Sequence, residues 1–192
     1  LGMNPFNPAL AARAFMLISF TGPMTTWLKP YWWRTPDAMT TATPLATMKT
    51  WFVAEATASA TPPGLCNHAC TGFPSLWQMA IGEMPGCIGE VSAIALALGA
   101  IYLLWRKVIT WHIPVMFLVT VFVYSFISGG APAMAQVLSG GVMIGACFMA
   151  TDYVTSPTTA KGKLIFGFGC GLLCMLIRQF GGYPEGCSFA IL

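Results

Sequence analysis

The sequence predicts an all-α fold: a polytopic transmembrane helical bundle with broken or re-entrant helices. Three observations predict it. Of 192 residues, 56% are hydrophobic and only 8% charged, against about 25% charged in an ordinary soluble domain. Mean hydropathy is +0.71. The apolar residues gather into runs near the length that crosses a bilayer, about 20 residues, and Gly- or Pro-rich breaks separate them. A net charge of +3 on scattered basic residues leaves no nucleic-acid footprint, so the partner implied is a lipid membrane and no nucleic acid. The chain opens on Leu1 without a signal-peptide pattern and stops at Leu192 inside an apolar run. It therefore reads as a fragment of a longer subunit.

The elements follow in order. Residues 8–20 form an apolar helix of 13 residues behind Asn4-Pro5-Phe6-Asn7. That is short for a span and reads as a helix broken at membrane depth, where irregular backbone is tolerated only against a cavity or a bound group. Residues 21–87 make one long connection, extracytoplasmic or re-entrant. Within it Thr43-Pro44 opens a helix over 44–60, because Thr is a common N-cap and Pro is favoured at the first helical position. Thr61-Pro62-Pro63-Gly64 breaks that helix, a short segment follows over 74–81, and Met84-Pro85-Gly86 leads out. Residues 88–192 carry the transmembrane helices, over 88–105, 113–128, 135–151 and 164–180, with a fifth starting at Cys187. The whole is a single membrane domain, 1–192. Asn7-Pro8 and Ser156-Pro157 each precede an apolar helix, the placement expected of corresponding positions in two structural halves.

Short basic loops set the orientation. Arg106-Lys107 with His112, and Lys161 with Lys163, fall on one side, which the positive-inside rule makes cytoplasmic. The loops over 129–134 and 181–186 carry no Lys or Arg and fall outside. Counting back, Thr43 is extracytoplasmic while Asn4 and Asn7 are cytoplasmic. Lys29, Arg34 and Lys49 then lie outside, in a loop too long for its charges to count fully. Of the seven cysteines, Cys147, Cys170 and Cys174 sit in apolar segments as small packing residues. Cys66, His68 and Cys70 offer three ligands at a spacing that is not the usual zinc pattern; a local disulfide or free thiols are expected rather than a metal.

The polar, threonine-rich run Asp37-Ala38-Met39-Thr40-Thr41-Ala42-Thr43-Pro44-Leu45 stands out from the apolar chain. It sets the Thr43 hydroxyl at a helix N-terminus, where backbone N–H groups and the helix dipole favour a phosphate. An ordinary capped turn would have the same residues. The run resembles the flavin-attachment site of the RnfD/NqrB family, membrane subunits of ferredoxin:NAD oxidoreductases and of the sodium-pumping NADH:quinone reductase. Asp37, Thr40, Ala42 and Thr43 match the family's Asp-x-x-Ser/Thr-Gly-Ala-Thr pattern; Thr41 stands where the family usually has Gly. Further signatures follow in the family's order: Asn7-Pro8-Ala9-Leu10-Ala11-Ala12-Arg13, Pro85-Gly86-Cys87-Ile88-Gly89-Glu90, Ala150-Thr151-Asp152-Tyr153-Val154-Thr155-Ser156-Pro157, and Gly181-Gly182-Tyr183-Pro184-Glu185-Gly186. Their detail resembles the Rnf branch more than the quinone-reductase branch.

The resemblance implies a covalent FMN esterified to Thr43, a second, non-covalent riboflavin, and an architecture similar to that of urea transporters. It implies electron relay coupled to Na⁺ or H⁺ movement, in the bacterial inner membrane, with other membrane and flavoprotein subunits of an Rnf-type complex as partners. Riboflavin would take Asn4 and Asn7, whose amides both donate and accept, with Asp152, Thr155 and Ser156 at the same depth. Asn7 would equally cap the helix at 8–20. Acids at membrane depth are expensive, so Asp152, Glu83 and Glu90 are the candidates for an ion path. Asp152 would also cap its turn, and Glu90 would suit a helix start. Arg13 and Arg178 would partner carboxylates or a flavin phosphate, or would snorkel. Trp27, Trp32, Trp33 and Trp51 suit an interfacial belt better than stacking. A solute channel and an inert anchor are the competing readings.

Overall fold

The computed structural model describes residues 6–28, 40–41, 45, 75–87, 91–128, 132–139, 141–181 and 186–192. Among them the structure is helical apart from one short ladder. Helix α1 (Pro8–Ser19) starts where the sequence places it: Asn7 is the N-cap, its side chain accepts from the Ala9 N–H, and Pro8 opens the helix. A short α2 (Thr21–Thr25) follows, then β1 (Trp27–Leu28) pairs antiparallel with β2 (Thr40–Thr41), Trp27 opposite Thr41 and Leu28 opposite Thr40. The helix expected over 44–60 lies outside the described residues except for Leu45, which is helical.

Helix α3 (Leu76–Ile81) is fixed at both ends. Ser75 and Gln78 form a reciprocal capping box, which satisfies two orphan N-terminal donors at once. Gly82, at φ +110°, closes the C-terminus; a left-handed position there suits glycine, since a Cβ would also press on Ser92 at 3.2 Å. Ser92 caps α4 (Ala93–Trp105), accepting from the Ala95 N–H. Residues 88–90, the expected start of that span, lie outside the described residues. Helix α5 (His112–Ser128) matches the expected span almost to the residue. Helix α8 (Ala160–Phe180) starts a turn earlier than expected, because Thr159 caps it through the Gly162 N–H.

The expected continuous span over 135–151 is corrected. It is three pieces: α6 (Ala133–Leu138), α7 (Val142–Ile144) and a π-helical turn (Gly145–Met149). Ser139 turns extended at φ −92° and ψ +143°, which ends α6. A run of uniformly high hydropathy hides such a break, because the residues on both sides remain apolar. In the π turn, the Thr151 hydroxyl donates to the Cys147 carbonyl at 2.8 Å, an extra partner where the helical ladder is disrupted. Helix α9 (Cys187–Ile191) is the start of the fifth expected helix.

The main core gathers Leu10 of α1, Ile113, Phe117 and Val121 of α5, Cys170, Cys174 and Met175 of α8, and Cys187 and Ile191 of α9. Among the described elements the most extensive packing joins α5 to α8. It depends on Gly167 and Gly171, where a Cβ would lie 2.9 Å from the Ile113 and Phe117 carbonyl oxygens. Small residues four apart are how membrane helices approach backbone to backbone. A second cluster holds Leu45, Met79, Met84 and Ala135.

Helix α8 is long and apolar enough to cross a membrane, and α1, α4 and α5 are shorter apolar helices. On α4, Ile94, Leu98, Ile101 and Trp105 are all exposed, Trp105 by 79%. Their spacing of four, three and four residues puts them on one face. A continuous exposed apolar stripe is costly in water and marks a surface that meets lipid or protein.

Candidate functional site

Thr43, Asp37, Ala42, Asn4 and Glu90 lie outside the described residues, while Thr40, Thr41 and Leu45 near Thr43 are described. On one side Thr40 and Thr41 pair with β1. On the other, Leu45 is 4% exposed and packs with Met79, Met84 and Ala135. Thr41, the residue in the family's glycine position, is therefore in extended backbone. A β-branched residue favours that conformation, so the ladder does not need glycine there.

Asn7 is half-buried and caps α1 with its Oδ1, 3.0 Å from the Ala9 nitrogen. Its carbonyl is committed to the helix, which leaves the amide N–H groups as the part that can face a ligand. Two of the sequence signatures meet just beyond it, where an Arg13 nitrogen approaches the Cys87 sulfur at 3.8 Å.

Asp152, Thr155 and Ser156 are brought together, half-buried, in the turn between the π segment and α8. The Thr155 hydroxyl donates to Asp152 Oδ2 at 3.4 Å, and the Ser156 N–H donates to the Asp152 carbonyl at 3.1 Å. The turn is tied to the loop after α4: Tyr153 donates its hydroxyl to the Val108 carbonyl, and Lys163 Nζ donates to the Thr110 hydroxyl. The two basic loops thus meet at one end of the helices, as the charge pattern expects. Glu83 sits just past the α3 cap, half-buried, its N–H donating to the Gln78 carbonyl at 2.8 Å.

Arg178 departs from the expected carboxylate or phosphate partner. It is 4% exposed, and its guanidinium reaches across to the end of α6. Nη1 donates to the Gln136 carbonyl at 2.9 Å and to Gln136 Oε1 at 3.1 Å; Nη2 donates to the Ser139 carbonyl at 3.1 Å. The last four carbonyls of a helix have no partner inside it, and an apolar interior offers no water to replace one. Here the Ser139 N–H serves the Ala135 carbonyl, and Arg178, from another helix, serves those of Gln136 and of the cap residue Ser139. The arginine Nε, also buried, has no hydrogen-bond partner among the described residues. Beside it runs a narrow recess lined by Arg13, Gly141, Met149, Arg178, Cys187 and Ser188, too tight for a water molecule.

The sequence carries two signals for this junction: a lone arginine inside an apolar helix, and Ser139-Gly140-Gly141 inside an apolar run. Nothing in the sequence pairs the two.

The model of the NQR2, RnfD, RnfE family matches residues 1–192. The chain is 45% identical over 192 residues to the D subunit of the Na⁺-translocating ferredoxin:NAD⁺ oxidoreductase complex of Acetobacterium woodii. It is 41% identical over 198 residues to the D subunit of the proton-translocating ferredoxin:NAD⁺ oxidoreductase complex of Clostridium ljungdahlii. It is 40% identical over 219 residues to the D subunit of the ion-translocating oxidoreductase complex of Citrobacter koseri. All of this chain is covered each time, against 54%, 57% and 61% of those proteins. The chain thus spans little more than half the length of the relatives it matches.

Proposed function

The chain belongs to the NQR2, RnfD, RnfE family, and from that premise we propose that it is a membrane electron-transfer subunit of an Rnf-type ferredoxin:NAD oxidoreductase. It carries covalent FMN on Thr43 at the extracytoplasmic side of the bacterial inner membrane. It relays electrons across the membrane, coupled to Na⁺ or H⁺ translocation, within a complex of other membrane and flavoprotein subunits. The fold is a broken-helix membrane bundle of the urea-transporter-like kind. The exposed apolar stripe of α4 and the membrane-length α8 support its place in a bilayer.

The observation that carries the reading is the framing of Thr43. Thr43 stands in a run whose residues match a flavin-attachment pattern, between the ladder residues Thr40–Thr41 and the buried Leu45. In the proposal Pro44 and the helix start behind it aim backbone N–H groups at the phosphate, and the Thr43 oxygen forms the ester. Asp37, Thr40 and Ala42 complete the attachment sequence. Riboflavin is held at the cytoplasmic end by Asn4 and by the amide N–H groups of Asn7, with Asp152, Thr155 and Ser156 from the opposite half. Flavins, when bound, supply reversible electron transfer; the protein supplies binding, orientation and electrostatics. Asp152, Glu83 and Glu90 are the acids through which ion movement is coupled.

The break at residues 139–141 favours one other reading, a urea- or ammonium-like solute channel without a redox role. Denaturing electrophoresis of the purified complex separates the two. Flavin fluorescence should migrate with this subunit and vanish in Thr43→Val. A dark band from intact wild-type complex refutes the covalent flavin and leaves the channel.

A further inference from the structure

At the break between α6 and α7 Arg178 takes three oxygens: the Gln136 carbonyl, to which the Ser139 hydroxyl also donates at 3.4 Å, Gln136 Oε1 and the Ser139 carbonyl. Carbonyl oxygens released by a broken helix are the ligand type that coordinates transported cations in membrane proteins. Here they receive a guanidinium. We propose that Arg178 is a fixed cation plug, which fills the oxygen cradle of the break and bars mobile cations from it.

Four observations support this. Arg178 is buried to 4% exposure, Gln136 to 1% and Ser139 to 0%, so the charge is held away from solvent. Among the described residues every hydrogen-bond partner of its guanidinium is a neutral oxygen, so no carboxylate there pairs with it. Its Nη1 and Nη2 hold oxygens on successive turns at the end of α6, so the charge is anchored at two points. The adjoining recess among the described residues has no space for water, so the side chain is not hydrated from that side. Removing the guanidinium would open volume beside the cradle and leave three acceptors facing it. A fixed arginine at a constriction is a known means of excluding cations from membrane pores. Two unit charges about 4 Å apart at an effective dielectric of about 20 repel enough to lower cation occupancy roughly a thousandfold.

The proposal rests on the reading of the chain as part of an ion-translocating membrane complex, because a seal matters only where a gradient is held. The test uses the whole complex in sealed proteoliposomes without electron donor, with ²²Na⁺ uptake and an enclosed pH dye as readouts. Arg178→Gln should raise passive cation influx at least about tenfold, within the ceiling set by that repulsion. Arg178→Lys, which keeps the charge, should stay as tight as wild type. If the Gln variant does not assemble, Arg178→Met serves, since an apolar side chain of similar length is often tolerated in place of a buried charge. Wild-type influx in an assembled neutral variant overturns the plug, and so does a leak in the Lys variant. Donor-driven transport in wild-type vesicles is measured separately, so failure of the relay reading and failure of the plug give different results.

Discussion

Two alanine substitutions, two residues apart on α8 (Ala160–Phe180), should have opposite effects on stability. At Gly171 an added Cβ would stand 2.9 Å from the Phe117 carbonyl oxygen and 2.9 Å from the Thr120 Cβ. Ordinary contact begins at 3.4 Å, so α5 and α8 must part by roughly 0.5 Å to relieve the overlap. Neither neighbour yields easily. One is backbone, and Thr120 is held by its hydroxyl bond to the Met116 carbonyl at 2.7 Å. Overpacking of this kind costs about 1–3 kcal/mol. Alanine recovers only about 0.5–1 kcal/mol over glycine in a helix. Gly171→Ala should therefore destabilise by about 1–2 kcal/mol. At Gly169 a Cβ meets nothing within 4 Å, so Gly169→Ala keeps the helix gain and should be neutral or stabilising. At about 2–4 °C per kcal/mol, Gly171→Ala should melt below wild type and Gly169→Ala at or above it, separated by roughly 2–12 °C. Thermal unfolding of the solubilised complex, followed by loss of monodisperse elution, reads this directly. Equal shifts of the same sign, or no loss for Gly171→Ala, would refute the close α5–α8 approach.

Two further substitutions probe the proposed flavin and ion roles. Asn7→Ala removes the α1 cap and should cost about 1 kcal/mol. Asn7→Asp keeps the acceptor for the Ala9 N–H but loses the amide donors; extractable riboflavin should fall in both variants while only the first melts earlier. Asp152→Asn preserves the size of the side chain and its contact with Thr155 but removes the charge. It should depress donor-driven cation transport several-fold with flavin content unchanged, and unaltered pumping in vesicles would remove Asp152 from the ion path.

What the sequence reveals here is local chemistry. The N-cap at Asn7, the start of α5 near residue 113 and the small-residue role of Cys170 and Cys174 all follow from spacing and side-chain type, and the structure bears them out. The cap at Asn7 also limits what that residue can offer a ligand, since one function uses its carbonyl and the other its amide. The break at residues 139–141 is invisible to hydropathy, which sums side chains. The break is a backbone event, stabilised from 39 to 42 positions away along the chain. Arg178 is legible as a charge in an apolar run, but its partners are not. A buried cation suggests a carboxylate, whereas a helix end offers carbonyls that no pattern of acidic residues announces.

Helix α6 (Ala133–Leu138) joins the two parts of the molecule that matter most here. It has six residues and no side-chain cap, and a helix so short is not stable alone. Tertiary contacts must hold it, and two sets do. Ala135, 0% exposed, packs with Leu45 and Met79. The adjacent Gln136, 1% exposed, is gripped by Arg178. Leu45 is two residues from Thr43, and Arg178 closes the break. The proposed flavin-bearing segment and the plug thus rest on consecutive residues of one small helix. Contact of this kind does not by itself amount to coupling, which needs an element with two arrangements that both sites bias. A six-residue helix without a side-chain cap depends for its place on these contacts from outside. The buried contact of Leu45 and the guanidinium of Arg178 are two of the contacts that hold α6 in place.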